Sequence, residues 1–160
     1  MHLFNSKKTD VETMFFRYGD MLYRVALARL SNDADAQDIV QDVFAKYLTA
    51  NPKFENCDHE KAWFLRTTIN CCHNIARKQK LRVHTSIEDV LNLPSDDHSG
   101  LTELLELISQ LSPIYADTVI LHSLEGYTIE ETAGLLQISP SAVKMRLSRA
   151  REALQNLSEE

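Results

Sequence analysis

The stretch that decides the fold is residues 128–150, TIEETAGLLQISPSAVKMRLSRA. Thr128, followed three residues later by Glu131, has the pattern of a capping box at the start of a short helix. Pro140 directly after Ser139 is typical of the first turn of a second helix. The small Ala133 would let the two helices approach closely across the short turn between them. This pattern predicts a helix-turn-helix unit.

The second helix of this unit has two different faces. At about 100° per residue, Val143, Leu147 and Ala150 fall on one side, where they can pack on the first helix. The segment from 144 to 151 contains four basic residues and no acidic one, which favours contact with DNA over a merely solvated surface. We assign Ser141, Lys144, Met145, Ser148 and Arg149 to base readout, and Arg146 and Arg151 mainly to phosphate contacts.

The turn of the unit carries Gln137 where glycine is frequent. A left-handed backbone there would cost glutamine roughly 1 kcal/mol relative to glycine.

Charge is distributed unevenly along the 160 residues, although the net charge is −6. Residues 61–87 contain six Lys or Arg and no acid, and residues 83–143 contain ten Asp or Glu and no Lys or Arg. The basic islands can bind phosphate locally. The acidic stretch between them should face solvent or a basic protein surface.

The rest of the chain also indicates helices, because Gly and Pro number only four each. Asp33 and Asp58 are expected to cap the second and third helices. A polar segment with Pro94 and Gly100 indicates a linker, so we divide the chain into domains at 1–83 and 104–160, joined by a linker at 84–103. Besides the helix-turn-helix, helices are predicted over residues 10–30, 34–48, 61–81, 102–111 and 113–124.

Three segments carry a family resemblance. DAQDIVQDVF at 35–44 resembles the core-binding segment of region 2 in extracytoplasmic-function (ECF) sigma factors. WFLR at 63–66, with Asn70 and Arg77-Lys78 after it, resembles the next helix of that family, which meets the minus-10 promoter element. Residues 127–154 resemble region 4, which meets the minus-35 element. All three occur in the family's order, and they cover most of the chain.

The resemblance implies an all-α fold of two small helical domains, the region 2 bundle and the region 4 helix-turn-helix, joined by a flexible acidic linker. It also implies a non-catalytic subunit that binds the β′ and β subunits of core RNA polymerase and directs initiation at particular promoters. An anti-sigma factor is a further expected partner. The residues implied for core binding are Asp35, Asp38, Gln41 and Asp42. Those implied for the minus-10 strand are Phe54, Asn56, Arg66, Asn70, Asn74, Arg77 and Lys78.

Two of these assignments have alternatives from the residues alone. The acidic side chains of the second helix also fit a solvated face near a helix N-terminus. Phe54 fits a base-binding loop and a side chain turned into the core equally well, whereas Trp63 fits the core better than a base wedge because it lies on the apolar stripe.

Other classes of protein fit less well. A stand-alone helix-turn-helix regulator would explain the C-terminal half but not the basic helix after residue 61. A zinc or redox protein would need Cys57, His59, Cys71, Cys72 and His73 to converge, yet three of them are consecutive. We expect no cofactor and no catalytic residue, since no phosphate loop or nucleophile motif is present. No apolar run approaches the ~20 residues that cross a bilayer, so we expect a cytoplasmic protein without membrane insertion.

Overall fold

The structure, a computed structural model, describes the backbone of residues 2–80 and 99–159 and the side chains of residues 10–75, 100 and 102–159. Within these ranges the chain is helical without strands, which confirms the predicted all-α class. The elements are α1 (His2–Leu30), α2 (Asp33–Ala50), α3 (Cys57–Lys80), α4 (Ser99–Ser109), α5 (Pro113–Val119), a π-helical segment (Ile120–Leu124), α6 (Ile129–Leu136) and α7 (Pro140–Ser158).

The first three helices pack into a bundle. Its centre holds fully buried side chains from each helix, including Leu22 of α1, Ile39 of α2 and Phe64 of α3. Burying each of these side chains is worth roughly 1.5–3 kcal/mol. Phe64 is also the hub of an aromatic cluster, with ring centroids 4.9 Å from Tyr18 and 5.1 Å from Trp63. This cluster fixes α3, the helix that carries most of the predicted minus-10 residues, against α1 and α2.

The sequence placed some core residues wrongly. The helical spacing of Phe15 with Leu22 and Val25 predicts a buried side chain, but Phe15 is 54% exposed, with its ring centroid 5.3 Å from that of Phe44. On α3 the helical spacing predicts a buried stripe of Trp63, Leu65, Ile69, Cys72 and Ala76. Phe64 lies outside this stripe, yet it is completely buried. Because α3 contacts both α1 and α2, its buried face is wider than a single stripe.

Two helix caps also differ from the prediction. The side chain of Asn32, not Asp33, accepts the 2.9 Å hydrogen bond from the Asp35 amide, so Asp33 is the first residue of α2. Asn56, not Asp58, accepts from the His59 amide at 2.8 Å at the start of α3. In both cases an asparagine and an aspartate lie within two residues of each other. The two residue types are almost equally favoured as N-caps, so the sequence does not show which of them caps the helix.

The buried Ile108, Ile120 and Leu121 of the later helices belong to the same hydrophobic core as the first three helices, while α6 and α7 pack together over the buried Val143. The predicted single helix over 113–124 is instead α5 followed by the π-helical segment, which ends with the Glu125 amide donating to the Ile120 carbonyl at 2.9 Å. Such wide turns cannot be read from apolar spacing. Most of the predicted linker lies outside the described residues, and α4 begins at Ser99.

Candidate nucleic-acid interfaces

The turn between α6 and α7 is built from local hydrogen bonds. Thr128 Oγ1 accepts from the Glu131 amide at 3.0 Å, which caps α6 as predicted. Gln137 then adopts a left-handed conformation, with φ of 57° and ψ of 44°. The Ser139 hydroxyl oxygen accepts from the Ala142 amide at 3.1 Å and starts α7. These bonds fix the angle between α6 and α7 and confirm the predicted helix-turn-helix.

Helix α7 shows the two faces expected from its sequence. Val143 and Ala150 are completely buried, and Ala150 belongs to the main hydrophobic core together with Ile108 and Leu121. Arg146 lies half-buried at the edge of the packed side. The exposed side carries the other residues that we assigned to DNA, namely Ser141, Lys144, Met145, Ser148, Arg149 and Arg151. This face offers cationic, hydroxyl and apolar groups on one helix, which is suited to a major groove.

The loop before α3 uses its candidate residues for structure. Phe54 is half-buried, with its ring centroid 6.1 Å from that of Trp63 and 6.4 Å from that of Phe64. This is the inward orientation that the sequence left open. Asn56 is exposed, but its side-chain oxygen caps α3. Trp63 packs against the core, as its position on the apolar stripe indicated.

An open groove of about 640 Å³ runs between α2 and α3. Trp63, Thr67 and Asn70 line it from α3, and Asp42, Lys46 and Thr49 are among the residues that line it from α2. Asn70 and Asn74 are both exposed. The side chains of Arg77 and Lys78, which we predicted farther along the same strand path, lie outside the described residues. A groove with an indole wall and amide groups can accommodate an unstacked base.

The Arg66 side chain of α3 forms hydrogen bonds with the backbone of α6. Its Nη2 donates to the Gly134 carbonyl at 2.7 Å, and its Nε donates to the Leu135 carbonyl at 3.0 Å. Both acceptors lie in the last turn of α6. The sequence placed Arg66 on the minus-10 path, and this contact was not anticipated.

The polar face of α2 presents the acids predicted to bind polymerase. Asp38, Gln41 and Asp42 are exposed, and Asp35 is half-buried. All four lie on one helix whose opposite face, with Ile39 and Val43, is completely buried. The bundle therefore holds these side chains in a fixed array that a basic helix pair could contact.

A buried charge cluster joins the two halves, and the sequence analysis missed it. Asp117 of α5 lies 2.7 Å from Arg29 Nε of α1 and 2.7 Å from His73 Nε2 of α3. Asp117 and Arg29 are each only 4% exposed at their side chains. Glu60 is also buried, where it accepts from Tyr18 and Arg17. The sequence pattern predicts that the Asp and Glu side chains fall on polar helix faces or in the linker, and the burial of Asp117 and Glu60 shows that this prediction is wrong. The single Asp within the apolar run IYADTVIL was the available signal.

The cysteines differ in their surroundings. Cys57 is exposed, whereas Cys71 and Cys72 are buried, and burial raises the pKa of the Cys72 thiol to about 12. In the part of the chain that the structure describes, no group of three His, Cys, Asp or Glu is placed to hold a metal ion. Over the same residues, no helix is both long enough and apolar enough to span a membrane.

Comparison with known families matches both halves of the molecule. The model of sigma-70 region 2 matches residues 14–82, and the model of sigma-70 region 4 matches residues 101–154. The RNA polymerase sigma factor SigV of Bacillus subtilis (strain 168) is 32% identical over 130 residues, which are 80% of this chain and 78% of the relative. The ECF RNA polymerase sigma factor SigM of Mycobacterium tuberculosis (strain H37Rv) is 26% identical over 91% of this chain and 76% of its own length.

A solved structure has the same arrangement of helices. The sigma factor RpoE of Bartonella quintana, in complex with the anti-sigma factor NepR, superposes with a TM-score of 0.76 at 26% identity over 94% of this chain and 97% of that chain. The chain belongs to the ECF group of RNA polymerase sigma factors.

Proposed function

We propose that this chain recruits core RNA polymerase to a particular class of promoters and takes no part in the bond chemistry. One observation carries the proposal: α7 holds an exposed basic face on a capped helix-turn-helix, in a chain whose relatives are named RNA polymerase sigma factors. The polymerase supplies the catalytic centre, and this chain places the polymerase at the promoter.

Core binding falls to the polar face of α2. Asp35, Asp38, Gln41 and Asp42 would meet a basic surface on the polymerase β′ subunit, and opposite charges would steer the encounter. Support comes from the exposure of Asp38 and Asp42 on a helix whose other face is locked into the bundle. The β subunit is the other proposed partner within the core polymerase.

The minus-10 strand would follow α3. The groove beside Trp63 would take an unstacked base, because stacking and hydrogen bonds return the few kcal/mol that extruding a base costs. Phe54 supports the wall of this region from inside, and Asn56 orders the start of α3. The polar residues proposed along the strand path are Arg66, Asn70, Asn74, Arg77 and Lys78.

The minus-35 element would be read by α7 in the major groove. Lys144 and Arg149 would contact base edges together with Ser141, Met145 and Ser148. Arg146 and Arg151 would hold the phosphates on either side. We keep the domain boundaries at 83 and 104, with the acidic residues between them as a tether. The tether links the minus-10 and minus-35 contacts, so that when one has formed, the other forms at a high effective concentration and the two together bind more tightly than either alone.

The proposed partners are core RNA polymerase, promoter DNA and an anti-sigma factor. The last follows from the solved relative, RpoE, which is bound to the anti-sigma factor NepR. The proposed location is the cytoplasm, because the polymerase works there.

Run-off transcription tests the proposal. Purified protein would be mixed with sigma-free core polymerase and a fragment library of the source genome. New transcripts that share a two-block promoter motif are the expected result. An absence of transcripts, together with no co-elution of protein and core, would overturn the proposal and favour a stand-alone helix-turn-helix regulator.

A matched pair of variants assigns the core-binding face. Asp42→Arg reverses a charge on the exposed face of α2, and Glu12→Arg makes the same change at an exposed site on α1. We expect only Asp42→Arg to reduce co-elution with core polymerase. Equal losses would indicate a general charge effect rather than a docking face.

A further inference from the structure

Met145 is the large apolar side chain that α7 leaves exposed. It is 50% exposed, whereas Val143, Leu147, Leu154 and Leu157 of the same helix are buried or half-buried. Single apolar side chains are common on protein surfaces, but Met145 lies among the residues proposed to read base edges. A surface that covers this side chain gains the free energy of removing it from water.

The packing of α7 places Met145 at the centre of the outward face. Burial of Val143 and Ala150 fixes the rotation of the helix about its axis. At about 100° per residue, these two residues lie roughly 140–160° from Met145 around the helix, so Met145 points away from the core. Ser141 and Arg149 lie roughly 40° to either side of it.

Two serines precede and follow Met145 along the helix. Ser141 lies one turn before it and Ser148 about one turn after it, and both are exposed. Because serine side chains are short, a base-pair edge can come close to α7, and Met145 projects beyond them. Long side chains on a helix lean toward its N-terminus, which is the end of a recognition helix that contacts base edges.

Glu152 limits the base-reading surface on its C-terminal side. It is exposed, and it lies roughly 20° from Met145 around the helix, about two turns farther along. Phosphates repel a carboxylate, so the part of α7 that enters the groove should end before Glu152. Residues 141–149 then span about 12 Å, the length of roughly three to four base pairs. Met145 lies at the middle of this span.

The major groove offers an apolar group to such a side chain at one kind of base. Thymine carries a methyl group at C5, whereas guanine, adenine and cytosine present hydrogen-bonding groups without a methyl. A polar base edge opposite Met145 would lose water without gaining a hydrogen bond. Met145 therefore favours thymine through contact with the methyl group and disfavours the other bases through desolvation.

We infer that the minus-35 element of this chain's promoters contains a T·A base pair near its centre, and that Met145 selects the thymine by packing against its C5 methyl group. This inference rests on the proposed placement of α7 in the major groove of that element. Met145 is thus a specificity-determining residue that forms no hydrogen bond or ion pair with DNA, unlike the cations Lys144 and Arg149 beside it.

Replacement of thymine by uracil tests the contact, because deoxyuridine lacks only the C5 methyl group. The complex of this chain with core polymerase would transcribe a cognate template, at sub-saturating protein, with each minus-35 thymine replaced in turn by deoxyuridine. One replacement near the centre of the element should lower run-off transcription by roughly fourfold, which corresponds to the burial of one methyl group. The remaining replacements should change it by less than about twofold.

Variants of α7 assign the effect to Met145. Met145→Ala should lower transcription from the thymine template and remove the difference between thymine and uracil. Met145→Leu, which keeps an apolar side chain, should preserve the difference. Gln155→Ala is the matched control, because Gln155 is exposed on α7 beyond Glu152 and should leave the thymine-to-uracil ratio at its wild-type value.

The outcomes separate this inference from the proposed function. Wild-type transcription that ignores every uracil replacement would overturn the role of Met145, and so would a Met145→Ala variant with the wild-type ratio. In either case, transcription that still depends on the minus-35 sequence leaves the proposed function standing. An absence of transcripts from the unmodified templates would overturn the proposed function and the inference with it.

Discussion

The Tyr18 hydroxyl donates a 2.6 Å hydrogen bond to Glu60 Oε1, which links α1 to α3 inside the N-terminal bundle. Arg17 Nη1 lies 2.7 Å from the same oxygen. Burial, followed by the hydrogen bond to Glu60, raises the pKa of Tyr18 to about 12. Tyr23, which donates to Asp33, also has its pKa raised to about 12, chiefly by burial.

Alkaline pH should therefore weaken the N-terminal bundle. The ordinary tyrosine pKa is 10.0, so the unfolded chain loses these protons above pH 10, while the folded chain holds them to about pH 12. The stabilisation is fully present below pH 10 and is lost as pH rises toward 12. Tyrosinate absorbance and circular dichroism, followed together, should show Tyr18 and Tyr23 ionising only near pH 12 or on unfolding. Ionisation of all five tyrosines near pH 10 with full helicity would contradict this.

Gln137→Gly should stabilise the helix-turn-helix. The φ of 57° strains any side chain at this position, and glycine relieves that strain at a cost in unfolded-state entropy. We expect a gain of up to ~1 kcal/mol in the free energy of unfolding, measured by urea denaturation. Gly126→Ala is the matched control, because Gly126 has φ of 79° and no atom within 4 Å of an added Cβ. The control should lose stability through backbone strain alone.

Arg149→Ala should reduce promoter discrimination by ~1–3 kcal/mol, since a base contact in the major groove distinguishes sequences. The measurement is run-off transcription from a cognate promoter and from variants of its minus-35 block. Arg151→Ala removes a neighbouring exposed cation and should lower transcription from all of them alike. If Arg149→Ala also lowers all templates equally, Arg149 contacts only phosphate.

Thiol labelling should separate the three cysteines. Cys57 is exposed to reagents. Cys72 is buried, and because burial raises its pKa to about 12, it is almost entirely in the unreactive thiol form at neutral pH. A disulfide reagent at neutral pH should modify one thiol per folded chain and three after denaturation. Cys57→Ser should abolish the labelling of the folded protein; two or more fast thiols in the folded chain would contradict the burial of Cys71 and Cys72.

The helix-turn-helix could be predicted from the preferences of residues close together in the sequence. Thr128 caps α6, Gln137 takes the left-handed conformation and Val143 is buried, each as its neighbours in sequence indicated. Caps, turns and helix faces depend on groups within four residues of one another, so the sequence displays them directly.

Contacts between distant segments could not be read in this way. The ion pair between Arg24 and Glu125 joins residues 101 apart, and Arg66 reaches Leu135 across 69. The family resemblance assigned Arg66 to DNA but carried no information about what it contacts without DNA. The exposed Phe15 and buried Phe64 differ from expectation for a related reason, because burial depends on which neighbours a helix meets.

Residues that contact each other across the two halves of the molecule lie far apart in the sequence, so the two halves are synthesised at different times. Tyr18 and Glu60 are 42 residues apart, so the bundle can close while the ribosome is still making α5 and α6. Chains grow at roughly 5–20 residues per second, so the arginines of the bundle stay uncovered for some seconds. During that time the nascent chain presents Arg24, Arg29 and Arg66 close to ribosomal RNA, which attracts cations. Folding of the C-terminal segment ends this exposure, because Glu125, Asp117 and the Leu135 carbonyl oxygen then pair with these arginines.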